Sequence, residues 1–337
     1  MGGMASRERF FAALDGRNID RLPVFCANQT ATYEQMNRVG FIWPEAHYRA
    51  KDMAGLAIGA YSILGFDAVR VPFCQTIEAE ALGCTIKDGG KKNIPSIKIH
   101  PYKIGDQPHF PEDFLERGRI PELIKAVKIL KENVGDKVVV IGGIIGPFSI
   151  AASLIEPQKI LVASFKNPDS IQPYLEVAKR AGVLLGKALI NAGADLICIE
   201  DMAASLDLIS PAIYRKAVFN WEKKQIEELE YKTILHICGK LDRVIEDVAM
   251  TGTTALSVDI NVDVPKAKDI LTRQERFIPL MGGVNAAHTL FSGSPDEVKN
   301  EVRKAILDGY SFIAPSCSIA PGTPTENLLA MVEAVSA

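Results

Sequence analysis

Tyr231-Lys232-Thr233-Ile234-Leu235-His236-Ile237-Cys238-Gly239 is the stretch whose reading decides the fold. Its apolar, partly β-branched run is too short for a helix and ends at a glycine that permits a tight turn. It reads as a strand buried on both faces, the habit of a parallel sheet. Seven more runs of this kind occur, at Leu22–Cys26, Ala68–Pro72, Val138–Ile141, Asp195–Ile199, Ala255–Ile260, Phe277–Met281 and Phe312–Pro315. Longer segments with helical periodicity lie between them, among them Glu45–Leu64, Pro121–Asn133, Pro168–Asn191, Ile213–Glu230, Lys240–Met250, Pro295–Asp308 and Thr325–Val335. Strand then helix, repeated around a closed sheet, predicts a (β/α)8 TIM barrel. No low-complexity linker divides the chain, so residues 1–337 are expected to form a single domain.

One stretch breaks the rhythm. Between the second and third strands, Gly83–Lys87 and Ser96–Ile99 flank the glycine-rich turn Asp88-Gly89-Gly90. Two alternating runs around such a turn predict a β-hairpin inserted at the barrel rim. Ahead of the first strand, Ser6 is the expected N-cap of an amphipathic helix through Phe10, Phe11 and Leu14, ended by Gly16.

Composition narrows the function. A net charge of -3 leaves no broad electrostatic footprint for nucleic acid. No apolar run approaches the roughly 18 residues of a membrane span. Six cysteines in 337 residues, without short-loop spacing, do not make a secreted disulfide scaffold. The expectation is a cytoplasmic protein whose thiols are reduced and free to bind metal.

Active sites of such barrels lie at the C-terminal ends of the strands. His236 and Cys238 stand there, and Cys317 follows the last strand. The His-x-Cys spacing puts both side chains on one side of an extended segment. Two thiolates and an imidazole are the donor set of a zinc site with one open position, the kind that does chemistry. Cysteine is also a common core residue. Cys198 reads as core and Cys84 as part of the hairpin, while Cys26 and Cys74 could reach the rim as rival ligands. Asp259 is a possible fourth ligand or a helix cap. Glu200 and Asp201 are adjacent, so at most one faces the pocket and the other suits a cap. Arg70, between Val69 and Val71, must be paired or reach a pocket. Asn28 and Gln29 could bond a ligand or cap the next helix. Gly142-Gly143 and Gly282-Gly283, read as following their strands, permit close backbone approach. No GxGxxG, GxxxxGK[ST] or nucleophile elbow is present.

Several motifs together resemble a family. Ser6-Arg7-Glu8-Arg9-Phe10 and Asp20-Arg21-Leu22-Pro23-Val24 look like the start of the uroporphyrinogen decarboxylase superfamily. Asn28-Gln29-Thr30, Phe41-Ile42-Trp43-Pro44-Glu45-Ala46, Gly65–Phe73, Glu78-Ala79-Glu80, Ile145-Gly146-Pro147-Phe148, Leu235–Gly239 and Thr323–Leu328 are similar to its methylcobamide:coenzyme M methyltransferases. The resemblance implies a barrel with zinc at its mouth, held by His236, Cys238 and Cys317. It implies methyl transfer from a methylcobamide, carried by a partner corrinoid protein, to the thiol of coenzyme M in methylotrophic methanogenesis. Asn28, Arg70 and Glu200 are then the expected substrate-binding residues. No Asp-x-His-x-x-Gly corrinoid motif occurs in this chain, so the donor must arrive on another protein. The arginine-rich motif of true decarboxylases is missing after Pro23. The family's Gly-Cys-Gly context is Ser316-Cys317-Ser318 here, which leaves another thiol or tetrahydrofolate open as acceptor. A non-enzymatic zinc or corrinoid-protein binding module is the remaining alternative.

Overall fold

The computed structural model describes residues 3–28, 31–274 and 276–336. Among these residues nine strands form: β1 (Ala68–Val71), β2 (Thr85–Lys87), β3 (Ser96–Ile99), β4 (Val139–Ile145), β5 (Leu196–Glu200), β6 (Thr233–Ile237), β7 (Ala255–Val258), β8 (Leu280–Val284) and β9 (Phe312–Pro315). Seven are parallel in the order β1-β4-β5-β6-β7-β8-β9, and β2 pairs with β3 as the expected antiparallel hairpin. Helices cover the outside, as a TIM barrel requires.

The eighth place belongs to the segment expected as strand one. It forms a single parallel bridge, Val24 to Ile313, rather than a full strand. On one side Phe25 N donates to Ile313 O at 3.2 Å; on the other Asp67 N donates to Val24 O at 2.7 Å. These bonds join the β9 edge to the β1 edge and close the barrel. The Asp67 carboxylate fixes the join: it accepts from Val24 N at 2.8 Å, Arg9 Nη1 at 2.8 Å and Arg21 Nη1 at 2.9 Å. Asp67 is wholly buried, so its charge must be met by partners of this kind.

Inward-facing side chains fill the barrel in tiers. Leu196, Cys198, Ile234, Ala255, Met281 and Phe312 cluster with Phe10, which plugs the N-terminal end from the first helix. Phe10 packs on Phe312 with ring centres 4.8 Å apart and on Phe25 at 5.1 Å. Above this apolar floor the interior turns polar. Glu200, His236 and Ser257 stand opposite one another on successive strands and are buried, and Arg70 joins them from β1. Gly143 on β4 makes the room: a Cβ there would lie 2.1 Å from Arg70 Nη2.

Several boundaries differ from expectation. β4 runs on through Gly142-Gly143 to Ile145, and β8 lies at Leu280–Val284 rather than Phe277–Met281, so both glycine pairs are inside strands. β7 stops at Val258. The expected helix Glu45–Leu64 is a 3-10 turn at Glu45–His47 followed by Ala50–Ser62, because Arg49 is extended and Ala50 N turns to Glu122 Oε2 at 2.9 Å. Lys240–Met250 shrinks to Ile245–Ala249. The N-cap of the first helix is Ala5, without a side-chain bond; Ser6 is the first helical residue. Helices Tyr33–Val39, Pro147–Ile155, Pro157–Lys166 and Val264–Leu271 had no counterpart in the sequence reading.

Removing the charge at the join leaves two arginines facing a neutral amide. Asp67→Asn is expected to cost about 3 kcal/mol, the scale for breaking a buried ion pair from one side. Urea denaturation measures this, and a loss under about 1 kcal/mol would show that the strand bonds alone close the barrel.

Candidate metal centre

β6 carries His236 inward, and the chain then turns at Gly239, whose φ is 74°. Only glycine fits: a Cβ would lie 2.1 Å from Asp207 Oδ2 and 2.6 Å from Ser205 Oγ. The turn leaves Cys238 at the mouth, half-buried. Cys317, also half-buried, comes from the loop after β9. His236 Nε2 is 3.3 Å from Cys238 Sγ, and Cys238 Sγ is 3.5 Å from Cys317 Sγ. All three donor atoms lie within 4.8 Å of one another. Metal–ligand lengths of about 2.0–2.3 Å put the edges of a zinc tetrahedron near 3.5–3.8 Å. The three side chains therefore form one face of such a tetrahedron and fit the ion in donor type and in spacing.

The second nitrogen of His236 is committed. Nδ1 is 3.0 Å from Ser257 Oγ, on the residue directly opposite in β7. Such a contact fixes which ring nitrogen is left for a metal. Cys317 is pushed down, first by the bond from Cys238 and further by His236, against burial. Cys238 is pushed up, first by Cys317, then by burial and by the negative charges of Asp259 and Glu200.

The rival cysteines lie apart from this set. Cys26 is not one of the three grouped donors; its Sγ meets Cys317 O at 4.0 Å, and burial pushes its thiol up to about 12. Cys74 Sγ accepts from Arg119 Nη1 at 3.2 Å. Cys198 is core, and Cys84, just before β2, meets Ser153 O at 3.2 Å.

Alternation separates the two carboxylates after β5. Glu200 points inward and pairs with Arg70 Nη2. Asp201 turns away and caps helix Pro147–Ile155, accepting from Phe148 N at 3.1 Å and Ser149 N at 2.8 Å. Burial pushes Asp201 up to about 6. Arg70 also donates to Pro72 O at 2.5 Å, while its buried Nε has no partner among the described residues. Asn28 is buried, with no partner for Nδ2 among the described residues. Gln29 lies outside the described residues. Asp259 Oδ1 accepts from Asn261 N at 3.1 Å and Asn261 Nδ2 at 2.6 Å. It lies outside the three-residue donor group, though near enough for its charge to act on Cys238.

Sequence reasoning missed three neighbours. Ser257 is found only through register. Gln75 Nε2 donates to Glu200 Oε2 at 2.5 Å. Glu78 Oε1 accepts from Ile145 N at 2.7 Å, and burial pushes its carboxyl up to about 7.

A closed α/β barrel with a His-Cys-Cys cluster at the C-terminal mouth defines the class: a barrel protein whose mouth gathers the donors of a candidate metal centre. The family model for Uroporphyrinogen decarboxylase (URO-D) matches residues 5–337. Methylcobamide:CoM methyltransferase MtaA of Methanosarcina barkeri is 38% identical over 336 residues, covering 99% of this chain and 98% of that protein. MtbA of Methanosarcina mazei, of the same description, is 37% identical over 97% of this chain and 96% of its own length. Uroporphyrinogen decarboxylase of Geotalea daltonii is only 24% identical over 97% of both. A solved methyltransferase from Methanosarcina mazei superposes with a TM-score of 0.92 at 38% identity, over 98% of each chain. The chain belongs to the uroporphyrinogen decarboxylase family and, within it, lies with the methylcobamide:CoM methyltransferases rather than the decarboxylases.

Replacing one sulfur tests the centre. Cys317→Ser is expected to abolish stoichiometric zinc binding, because a hydroxyl is a far poorer soft-metal ligand than a thiolate. Stability should change by only about 1 kcal/mol, since the residue sits at the rim. Elemental analysis and urea denaturation read both, and unchanged zinc affinity would sink the assignment.

Proposed function

We propose that this chain is a zinc-dependent methyltransferase of methylotrophic methanogenesis. It moves a methyl group from a methylated corrinoid, carried by a partner protein, to the thiol of coenzyme M. The observation that carries the reading is the cluster of His236 Nε2, Cys238 Sγ and Cys317 Sγ at an open barrel mouth. The names of the more similar relatives support the substrates, since MtaA and MtbA are both called methylcobamide:CoM methyltransferases. The proposal treats residues 1–337 as one cytoplasmic domain.

A neutral thiol is a weak nucleophile; its thiolate reacts. Zinc, when bound by His236, Cys238 and Cys317, would supply positive charge that favours deprotonation of the acceptor thiol. Two cysteine thiolates offset the dication, so an acceptor sulfur brought there keeps its excess negative charge. Ser257 holds the His236 ring in place. Arg70 and Glu200 cancel each other's charge beneath the site and form a rigid polar floor. Asn28 Nδ2, a buried donor without a partner among the described residues, is available to a substrate acceptor atom. In the reaction the thiolate sulfur attacks the methyl carbon in line. The carbon–sulfur bond forms as the methyl–cobalt bond breaks, and the electron pair leaves with cobalt. The thiol proton passes to solvent.

Binding of coenzyme M to the zinc-loaded protein should release about one proton. Calorimetry in buffers of different ionisation enthalpy measures it, and binding without proton release would refute thiolate formation. Homocysteine and tetrahydrofolate, assayed beside coenzyme M with methylcobalamin as donor, test the acceptor. Asp259 is kept as a possible fourth ligand. If it is one, Asp259→Asn should leave zinc bound while shifting the apparent affinity for the thiol. If it serves only its turn with Asn261, stability should move by about 1 kcal/mol or less and thiol titration should be unaltered.

A further inference from the structure

The hairpin β2–β3 carries four lysines, Lys87, Lys91, Lys92 and Lys98, against one carboxylate, Asp88. All four lysines are exposed. None has an ion-pair partner among the described residues, of the kind that Lys125 has in Glu122 at 2.7 Å. Asp88 spends Oδ1 on Gly90 N at 2.9 Å, inside its own turn. The apolar positions Ile86 and Ile97 are opposite each other and pack toward the barrel, while Lys87 and Lys98, the latter at the register shift between the Thr85–Ile99 and Ile86–Ile97 pairs, are both exposed on the same short hairpin. Like charges so placed repel. A chain whose net charge is -3 thus concentrates unrelieved positive charge on one small insertion.

The hairpin stands beside the candidate metal centre. Ile94, Pro95, Ser96 and Ile97 line a cavity of about 250 Å3 with Gln75, and Gln75 donates to Glu200, the register neighbour of His236. At the tip, Tyr33 Oη donates to Lys92 O at 2.7 Å. The same Tyr33 donates its backbone N–H to Pro321 O at 2.8 Å, in the loop that follows Cys317. The basic surface is therefore tied to both sides of the mouth.

We infer that the lysine hairpin is the docking surface for the corrinoid-carrying protein, recognised through an acidic rim around its corrinoid. The inference rests on the function proposed above, because any carrier that delivers a methyl group must approach this rim. Charge selects the occupant. A long polyanion such as RNA would meet repulsion from the rest of an acidic chain, and the outward face of the hairpin offers no aromatic ring for a base to stack on. A protein with a local acidic patch needs only local complementarity, which speeds encounter and fixes orientation.

The test compares two donors on zinc-loaded protein: free methylcobalamin, and a methylated corrinoid protein purified from Methanosarcina barkeri. The variant replaces Lys87, Lys91, Lys92 and Lys98 with glutamate. With free methylcobalamin, kcat/KM should equal that of the unmodified chain at every ionic strength. With the protein-borne donor it should fall at least about tenfold at low salt. The unmodified chain should lose rate as salt rises, and the variant should not. Equal use of the protein-borne donor by both forms overturns the docking surface. So does an unmodified chain that turns over free methylcobalamin but not the protein-borne donor. Lysine-dependent binding of RNA or phosphatidylserine vesicles, with unchanged use of the corrinoid protein, assigns the wrong partner class and also overturns it. Failure of the unmodified chain with free methylcobalamin would instead defeat the proposed function.

Discussion

Cys238 follows β6 and Cys317 follows β9, with two strands between them. Three strand spacings in a flat sheet would hold those ends about 14 Å apart. The sulfurs are 3.5 Å apart. Curvature supplies the difference, and curvature persists only if the sheet is closed. Closure rests on a short seam at Val24, clasped by the buried Asp67 carboxylate and its two arginines. The chemistry of the mouth therefore depends on an ion-pair cluster remote from it in sequence.

Closure alone would give a packed barrel without a site. The change of tier does the rest. Apolar side chains fill the lower interior, and a polar layer of Arg70, Glu200, His236 and Ser257 replaces them just below the mouth. Burying that layer is tolerable because each charge has a partner: Arg70 meets Glu200, and Glu200 also meets Gln75. Gly143 is the cost of entry for the guanidinium, since any larger residue would occupy its place. The lower tiers are thereby separated from these charges.

The barrel and its three donors were legible because both rest on local patterns. Buried parallel strands read as apolar runs, and strand ends show where a barrel does its chemistry. Glycines misled the boundaries. Gly142-Gly143 and Gly282-Gly283 were read as strand ends, yet they lie within β4 and β8, where one reason is the bulk of Arg70 on a neighbouring strand. That reason is tertiary and leaves no local trace. Ser257 was invisible on the same ground, because its contact with His236 follows from register between strands. Strand one reduced to a bridge because its partners are the two sheet edges and a carboxylate, none of which its own sequence displays.

The donors also differ in when the growing chain supplies them. His236 and Cys238 are made with the sixth strand of the molecule, while Cys317 comes only after β9, the last strand of the sheet. Until β9 seats beside β8 and Val24, the nascent chain presents two soft donors and no third. An ion held by all three donors, as proposed above, would therefore be captured only at the end of barrel assembly.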